Sequence, residues 1–216
     1  MKQVLIVGAN GKVGRILCEK LKDASGYMPV ALVRKEEQQA FFDSQEITSR
    51  AGSIENSTDD IAALMKEIDI VVFTAGSGGK TGYDKTLTVD LDGAVKCMDA
   101  AGKCGIRRFV MVSALNADKR PGWAASGIAP YYVAKHYADR LLKKSGLDYT
   151  IVRPGRLLDS PGKGKINIKD PEKEQGVPRE DVASVIIETL DHDNTIGKII
   201  EFNEGERPIE EAVAAV

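Results

Sequence analysis

The chain has 216 residues, 43% of them hydrophobic and 29% charged, and a formal net charge of -2. That is an ordinary globular balance, long enough for one large α/β domain to bury a single core. The lack of a basic excess argues against nucleic acid or an anionic membrane as partner.

Strand-like runs and helical patterns alternate from the start. A strand at Gln3–Val7 leads into a helix over Gly14–Lys22, then a strand at Met28–Val33 and a weaker one near Glu46–Ala51. A helix over Ile61–Glu67 and a strand at Ile68–Phe73 follow. The second half reads helix Val89–Cys104, strand Arg108–Ser113, helix Tyr131–Lys144, strand Tyr149–Arg153, helix Asp181–Leu190 and strand Lys198–Phe202. The runs VLIV, DIVVF and RRFVMVS are almost continuously apolar, which marks strands buried on both faces of a parallel sheet. The expected fold is a single doubly wound, parallel-sheet Rossmann domain over residues 1–216, with helices on both faces and residues 155–216 forming a small substrate-side region. Right-handed crossovers put the strand C-terminal ends on one edge, where ligands bind. The stretch Asp159–Pro178, rich in Gly, Pro and Lys, is expected as a long loop or lid over that edge.

The first strand runs straight into Gly8-Ala9-Asn10-Gly11-Lys12-Val13-Gly14 and then a helix. Gly8 permits the tight turn, Gly11 removes a side chain where backbone must approach a pyrophosphate, and Gly14 lets helix and strand pack closely. The helix N-terminus adds free N–H groups and a positive dipole end. The spacing is GxxGxxG rather than GxGxxG, but it lies between an apolar strand and a helix, the context that gives such a pattern meaning. The whole turn, Asn10, Lys12 and Val13 included, is read as a dinucleotide site. The second strand ends in Arg34 and Lys35 instead of an acid. Two cations there suit a ribose 2′-phosphate, so NADP is expected over NAD.

Ser113 ends the fifth predicted strand at the ligand edge. Tyr131 and Lys135, four apart, share one face of the next helix. An ammonium beside a phenol stabilises phenolate and is expected to lower its pKa from about 10 toward the working range. Such a tyrosine exchanges a proton with a carbonyl or alcohol oxygen during hydride transfer, a serine holds the same oxygen, and the lysine also bonds the nicotinamide ribose. Tyr132 competes with Tyr131 for the role. Arg153-Pro154-Gly155 is expected at the nicotinamide end, with Pro154 stiffening the turn; for Arg153 a turn without ligand contact is an equal reading.

GANGKVG, LVRK, VMVS, YYVAK and IVRPG together resemble the short-chain dehydrogenase/reductase superfamily. The likeness is greatest to its short atypical members, NAD(P)-binding or NAD-dependent epimerase/dehydratase-like proteins, and it covers Met1 to the Pro208-Ile209 region. The segment Phe73–Gly82 resembles a loop of one atypical subgroup that faces the cofactor, which adds Ala75, Gly76 and Ser77 to the cofactor set. The resemblance implies a nicotinamide cofactor and a reactive triad of Ser113, Tyr131 and Lys135. Asp90 stands where the superfamily usually has an asparagine whose backbone holds a relay water; the atypical subgroup often shows Asp there. Only about sixty residues follow Pro154, which favours a small substrate over a nucleotide sugar.

Three cysteines, Cys18, Cys97 and Cys104, fit a reducing compartment, and Cys97 and Cys104, on one predicted helix, are read as buried apolar thiols with no metal site. The opening apolar run is too short for a signal peptide or a membrane span, so a cytoplasmic protein is expected. His136 and His192 read as packing or solvated residues, Lys163 and Lys165 as a solvated loop, and Asp181 as a helix cap or first-turn acid. Trp123 either walls a substrate pocket or buries itself in a partner surface. The functional expectation is an NADP-dependent oxidoreductase acting on a small carbonyl or alcohol substrate. The alternatives are an NADP-sensing binding protein without turnover and an epimerase- or dehydratase-like enzyme. A homodimer stays open.

Overall fold

The computed structural model describes residues 1–79, 81–168 and 176–216. The N-terminal half runs β1 (Lys2–Val7), α1 (Lys12–Asp23), β2 (Tyr27–Val33), α2 (Gln39–Asp43), β3 (Thr48–Ala51), α3 (Thr58–Ala63) and β4 (Ile70–Phe73). A helix follows that starts as α4 (Tyr83–Lys85), widens to a π-helical stretch over Thr86–Gly93 and continues as α5 (Ala94–Lys103). Then come β5 (Arg108–Val112), α6 (Ala129–Leu142), β6 (Asp148–Pro154), β7 (Leu157–Leu158), β8 (Lys165–Asn167), β9 (Val177–Pro178), α7 (Arg179–Asp191), β10 (Lys198–Glu204), β11 (Arg207–Pro208) and α8 (Ile209–Ala214).

The main sheet has the order β11-β8-β10-β6-β5-β4-β1-β2-β3. Its body, from β3 across to β10, is parallel throughout. The fold is therefore the expected doubly wound Rossmann sheet, with β1 beside β4 at the point where strand order reverses. The apolar strands are sorted by their period of two. Val4 and Ile6 of β1 join one core layer with Leu17 and Leu21 of α1, Val182 and Ile186 of α7, and Val213 of α8. Leu5 and Val7 join the opposite layer with Ile61 of α3, Cys97 and Ala101 of α5, and Leu142 of α6. Each fully buried aliphatic or aromatic side chain contributes about 1.5–3 kcal/mol against the unfolded chain.

Several elements differ from expectation. The helix expected over Ile61–Glu67 starts earlier, because Ser57 and Asp60 form a reciprocal capping box at its N-terminus. It is over by Leu64, and Glu67 takes a left-handed φ of 62°. The expected 159–178 loop contains β8, held antiparallel to β10 and β11, and β9, paired with β7; its residues 169–175 lie outside the described residues. Cys18 and Cys97 are buried, and desolvation pushes both thiols up to about 12. Cys104 is exposed, contrary to expectation, because it caps the end of α5. Among the described residues no helix is long and apolar enough to cross a membrane.

Candidate dinucleotide and catalytic cleft

The glycine turn has the geometry its residues imply. Gly8 has φ +89°, and a Cβ there would lie 2.6 Å from the Ala75 Cα. A Cβ on Gly14 would press on the Gly8 carbonyl and lie 2.7 Å from the Ala9 Cα. Both positions are closed to any side chain, so α1 starts hard against the turn after β1, and that turn lies hard against the loop after β4. Gly11 caps α1, no side chain caps the first turn, and no acid lies in it. The turn is a bare-backbone cradle with a positive helix end, which fits a dinucleotide diphosphate.

Two cavities meet at this turn. The larger, about 1030 Å³, is lined by Gly11, Lys12, Val13 and Gly14, by Asp90, Ser113, Tyr131, Tyr132 and Lys135, and by Pro154, Gly155, Arg156, Arg179 and Asn203. The smaller, about 300 Å³, is lined by Gly8, Asn10, Arg34, Gln38, Gly52, Ser53, Glu55, Ser77 and Lys85. Gly11, Thr74, Ala75 and Gly76 line both. A single groove thus runs from the end of β2, over the glycine turn, to the end of β5 and the start of α6. Arg34 reaches the smaller cavity, whereas Lys35 is exposed and lines neither. Asn10 borders that cavity, and its side-chain oxygen accepts from Arg15 Nη2 at 2.6 Å, while the Arg15 guanidinium lies 3.9 Å over the Phe41 ring.

Four expected residues come together on one wall of the larger cavity. Lys135 Nζ donates to the Val112 carbonyl at 3.2 Å and lies 3.3 Å from Asp90 Oδ1. The Asp90 contact is an ion pair rather than an aligned hydrogen bond, so Oδ1 has no aligned donor. Asp90 Oδ2 accepts from the Ser77 amide at 2.9 Å, and Ser77 Oγ lies 3.3 Å from Thr86 Oγ1. The π-helical stretch thereby holds the loop after β4 through Thr86 and Asp90. Lys135 Nζ is 5.7 Å from the Tyr131 ring centroid, which assigns the expected pairing to Tyr131 rather than Tyr132. The Ser113 hydroxyl is buried and faces the Asp139 carboxylate without forming an aligned hydrogen bond.

The electrostatics differ from expectation in one respect. Burial pushes the Tyr131 phenol above its ordinary value; Lys135 pulls it down, but less strongly. Burial also pulls the Lys135 ammonium down, and Tyr131 and Asp90 more than offset it, so its pKa rises. Lys135 is a buried cation held by Asp90, and Tyr131 is a neutral phenol at neutral pH.

Arg153 does not line the nicotinamide end. It is buried, with Nε and Nη2 each 2.9 Å from Asp139 Oδ2, and Nη1 2.9 Å from Glu201 and 3.2 Å from Asp118. Three carboxylates draw the guanidinium under the site because a buried cation needs partners. Asp139 itself was not anticipated. It lies four residues after Lys135 on the same face of α6, near Ser113, and burial pushes its carboxyl up. The i, i+4, i+8 series Tyr131, Lys135, Asp139 was the available signal.

Other expectations resolve simply. Trp123 lines neither cavity; its ring packs edge-on against His136. Lys163 pairs with Glu204 at 2.6 Å, and His192 lies 3.6 Å from Glu188. Asp181 is a first-turn acid of α7, and its carboxylate accepts from the Lys163 and Gly164 amides at 2.9 Å. Lys12 and Arg179 both pair with Asp159, at 2.7 and 2.6 Å.

Comparison with known proteins agrees with a dinucleotide-binding Rossmann fold. Residues 8–193 match a family model described as NAD(P)H-binding. The chain is 46% identical over 211 residues to the uncharacterized sugar epimerase YhfK of Bacillus subtilis, covering 98% of each. Among solved structures it is similar to a Bacillus halodurans protein classed provisionally as an NAD-dependent epimerase/dehydratase, with TM-score 0.93, 42% identity and all of both chains covered. It is also similar to the oxidoreductase ylbE of Lactococcus lactis, with TM-score 0.87, 32% identity, and 99% of this chain and 96% of that one covered.

Proposed function

Since the chain belongs to the NAD(P)H-binding family, we propose that it is an NADP-dependent oxidoreductase that reduces a small carbonyl compound to an alcohol. One observation carries this reading. A neutral phenol, a buried cation and a buried hydroxyl share one wall of a groove that continues into the glycine cradle.

A nicotinamide dinucleotide held by the glycine cradle would supply the hydride for the carbonyl carbon. Tyr131 gives its phenolic proton to the carbonyl oxygen as negative charge develops there. Ser113, whose hydroxyl has no aligned hydrogen bond in the free protein, donates to the same oxygen. Lys135 stays charged through Asp90, stabilises the phenolate left on Tyr131, and would hold the ribose of a bound nicotinamide. The phenolate recovers its proton from solvent, and the product is the alcohol. A resting phenol that is protonated suits the reducing direction. Arg34, at the mouth of the smaller cavity, supports NADP over NAD because it offers a fork of donors to a 2′-phosphate.

The test is a thermal-shift comparison of NADP, NADPH, NAD and NADH, followed by a carbonyl screen with the best binder. Stabilisation by NADPH above NADH, and substrate-dependent loss of NADPH absorbance, are expected. Tight binding with no consumption of NADPH across the panel would favour a cofactor-sensing protein. Turnover that leaves the cofactor in its starting redox state would favour an epimerase or dehydratase.

A further inference from the structure

We propose that Asp159 is a built-in competitor for the cofactor diphosphate, occupying in the free protein two cations, Lys12 and Arg179, that turn to the diphosphate when the dinucleotide enters. This rests on the reading of the cleft as a nicotinamide dinucleotide site.

The arrangement is symmetrical about one carboxylate. Asp159 Oδ2 is 2.7 Å from Lys12 Nζ, and Oδ1 is 2.6 Å from Arg179 Nη1. Lys12 is the first residue of α1 and Arg179 the first of α7. Both line the larger cavity, at the side where the glycine cradle opens. Asp159 does not line it, so the carboxylate draws the cations' charge away from the groove.

The two contacts differ in origin. In the β7–β9 ribbon Leu157 stands opposite Val177 and Leu158 opposite Pro178. One further step of that register brings Asp159 to Arg179, so the ribbon presets this pair. The Lys12 contact crosses from the ribbon to the glycine turn and is free to exchange. Asp159 and Lys12 have side chains 63% and 67% exposed, and exposed pairs of this kind hold weakly. A diphosphate carries more charge than one carboxylate and meets the free amides of α1 as well, so it wins both cations. Arg179 then becomes a diphosphate contact supplied from the C-terminal part of the chain.

The experiment is fluorescence titration of the whole protein with NADPH. Asp159→Asn is expected to tighten binding about three- to tenfold, the scale of a released exposed pair. Arg179→Gln is expected to weaken it about tenfold, as loss of a charge-assisted bond does. In the double variant the gain from Asp159→Asn shrinks, because one of its two beneficiaries is gone and only Lys12 remains. Asp148→Asn, an equal charge change at the far end of β6, is expected to leave affinity within about twofold, since exposed charges beyond a Debye length are screened. Unchanged or weaker binding by Asp159→Asn, or the same gain in Asp148→Asn, overturns the proposal while leaving the cofactor reading intact. A wild-type protein that binds no nicotinamide dinucleotide overturns both.

Discussion

The Lys135 ammonium reaches from α6 to within 3.3 Å of the Asp90 carboxylate on the π-helical stretch, and the two side chains are only 4% and 1% exposed. Neither charge has access to water in place of the other. Removing one partner strands the other, which costs about 3–5 kcal/mol, whereas removing both costs less. Asp90→Ala and Lys135→Met are each expected to lower the urea midpoint strongly, and Asp90→Leu/Lys135→Met to recover part of the loss. Single variants within about 0.5 kcal/mol of wild type, the range of ordinary surface changes, would mean the pair is not buried as described.

Tyr131 gives a proton test with a definite sign. Its phenol is pushed above the ordinary tyrosine value by burial, so the acid form persists through neutral pH. Turnover in the reducing direction is expected to be level from pH 6 to 9 and to fall only in more alkaline solution, as the proton is lost before use. Oxidation of the alcohol should rise over the same alkaline range. Tyr131→Phe should lower reduction at least ~100-fold with NADPH affinity retained. A steady-state pH profile falling through neutrality, or full activity in the Phe variant, removes Tyr131 from the mechanism.

How much of this was legible beforehand depends on how local each cause is. The parallel sheet was readable because VLIV in β1 and IVVF in β4 carry the whole signal within one strand. The Tyr131–Lys135 pairing was readable from a spacing of four on one helix. Arg153 was not, since its position is set by Asp139, Glu201 and Asp118, three residues from separate parts of the chain. β8 is not legible in the sequence for the same reason: its short run is held by partners in β10 and β11. The π-helical turn has no period that distinguishes it from an α-helix in sequence. Lys35 shows the limit of reading a strand end as a unit, because β2 stops at Val33 and Lys35 already caps the 3-10 turn Glu36–Gln38, with its side chain exposed.

Cofactor choice should rest on Arg34. It lines the smaller cavity, and Lys35 does not. Arg34→Ala is expected to weaken NADPH binding about 10–100-fold, the value of a hydrogen-bonded charge pair, and to change NADH binding little. Lys35→Ala is expected to affect NADPH by less than about threefold, in line with an exposed charge outside the cavity. Isothermal titration of both variants with both cofactors decides it. Equal losses for NADPH and NADH would end the assignment of Arg34 to a 2′-phosphate.

The glycine cradle should tolerate no side chain at its two closed positions. Gly14→Ala places a methyl against the backbone of Gly8 and Ala9, and backbone cannot swing aside as a side chain can. The expected cost is about 1–3 kcal/mol, the range for overpacking, with loss of dinucleotide binding. Gly102→Ala, where a Cβ meets nothing within 4 Å, is the control and should match or exceed wild type, since alanine favours the helix over glycine. A Gly14→Ala protein that melts and binds like wild type would contradict the close helix–strand approach.

The division of the groove into two cavities has a consequence for how the molecule is made. The residues around the smaller cavity span only Val7 to Val89, so a ribosome that has released little more than β4 and the helix after it has already delivered every wall of that chamber. The larger one draws on residues from Gly11 to Asn203 and is complete only once β10 docks beside β6. The walls of the smaller chamber are thus all synthesised early, but α1 beside it rests on Val182 and Ile186 of α7, so its support arrives only with the residues that complete the larger one.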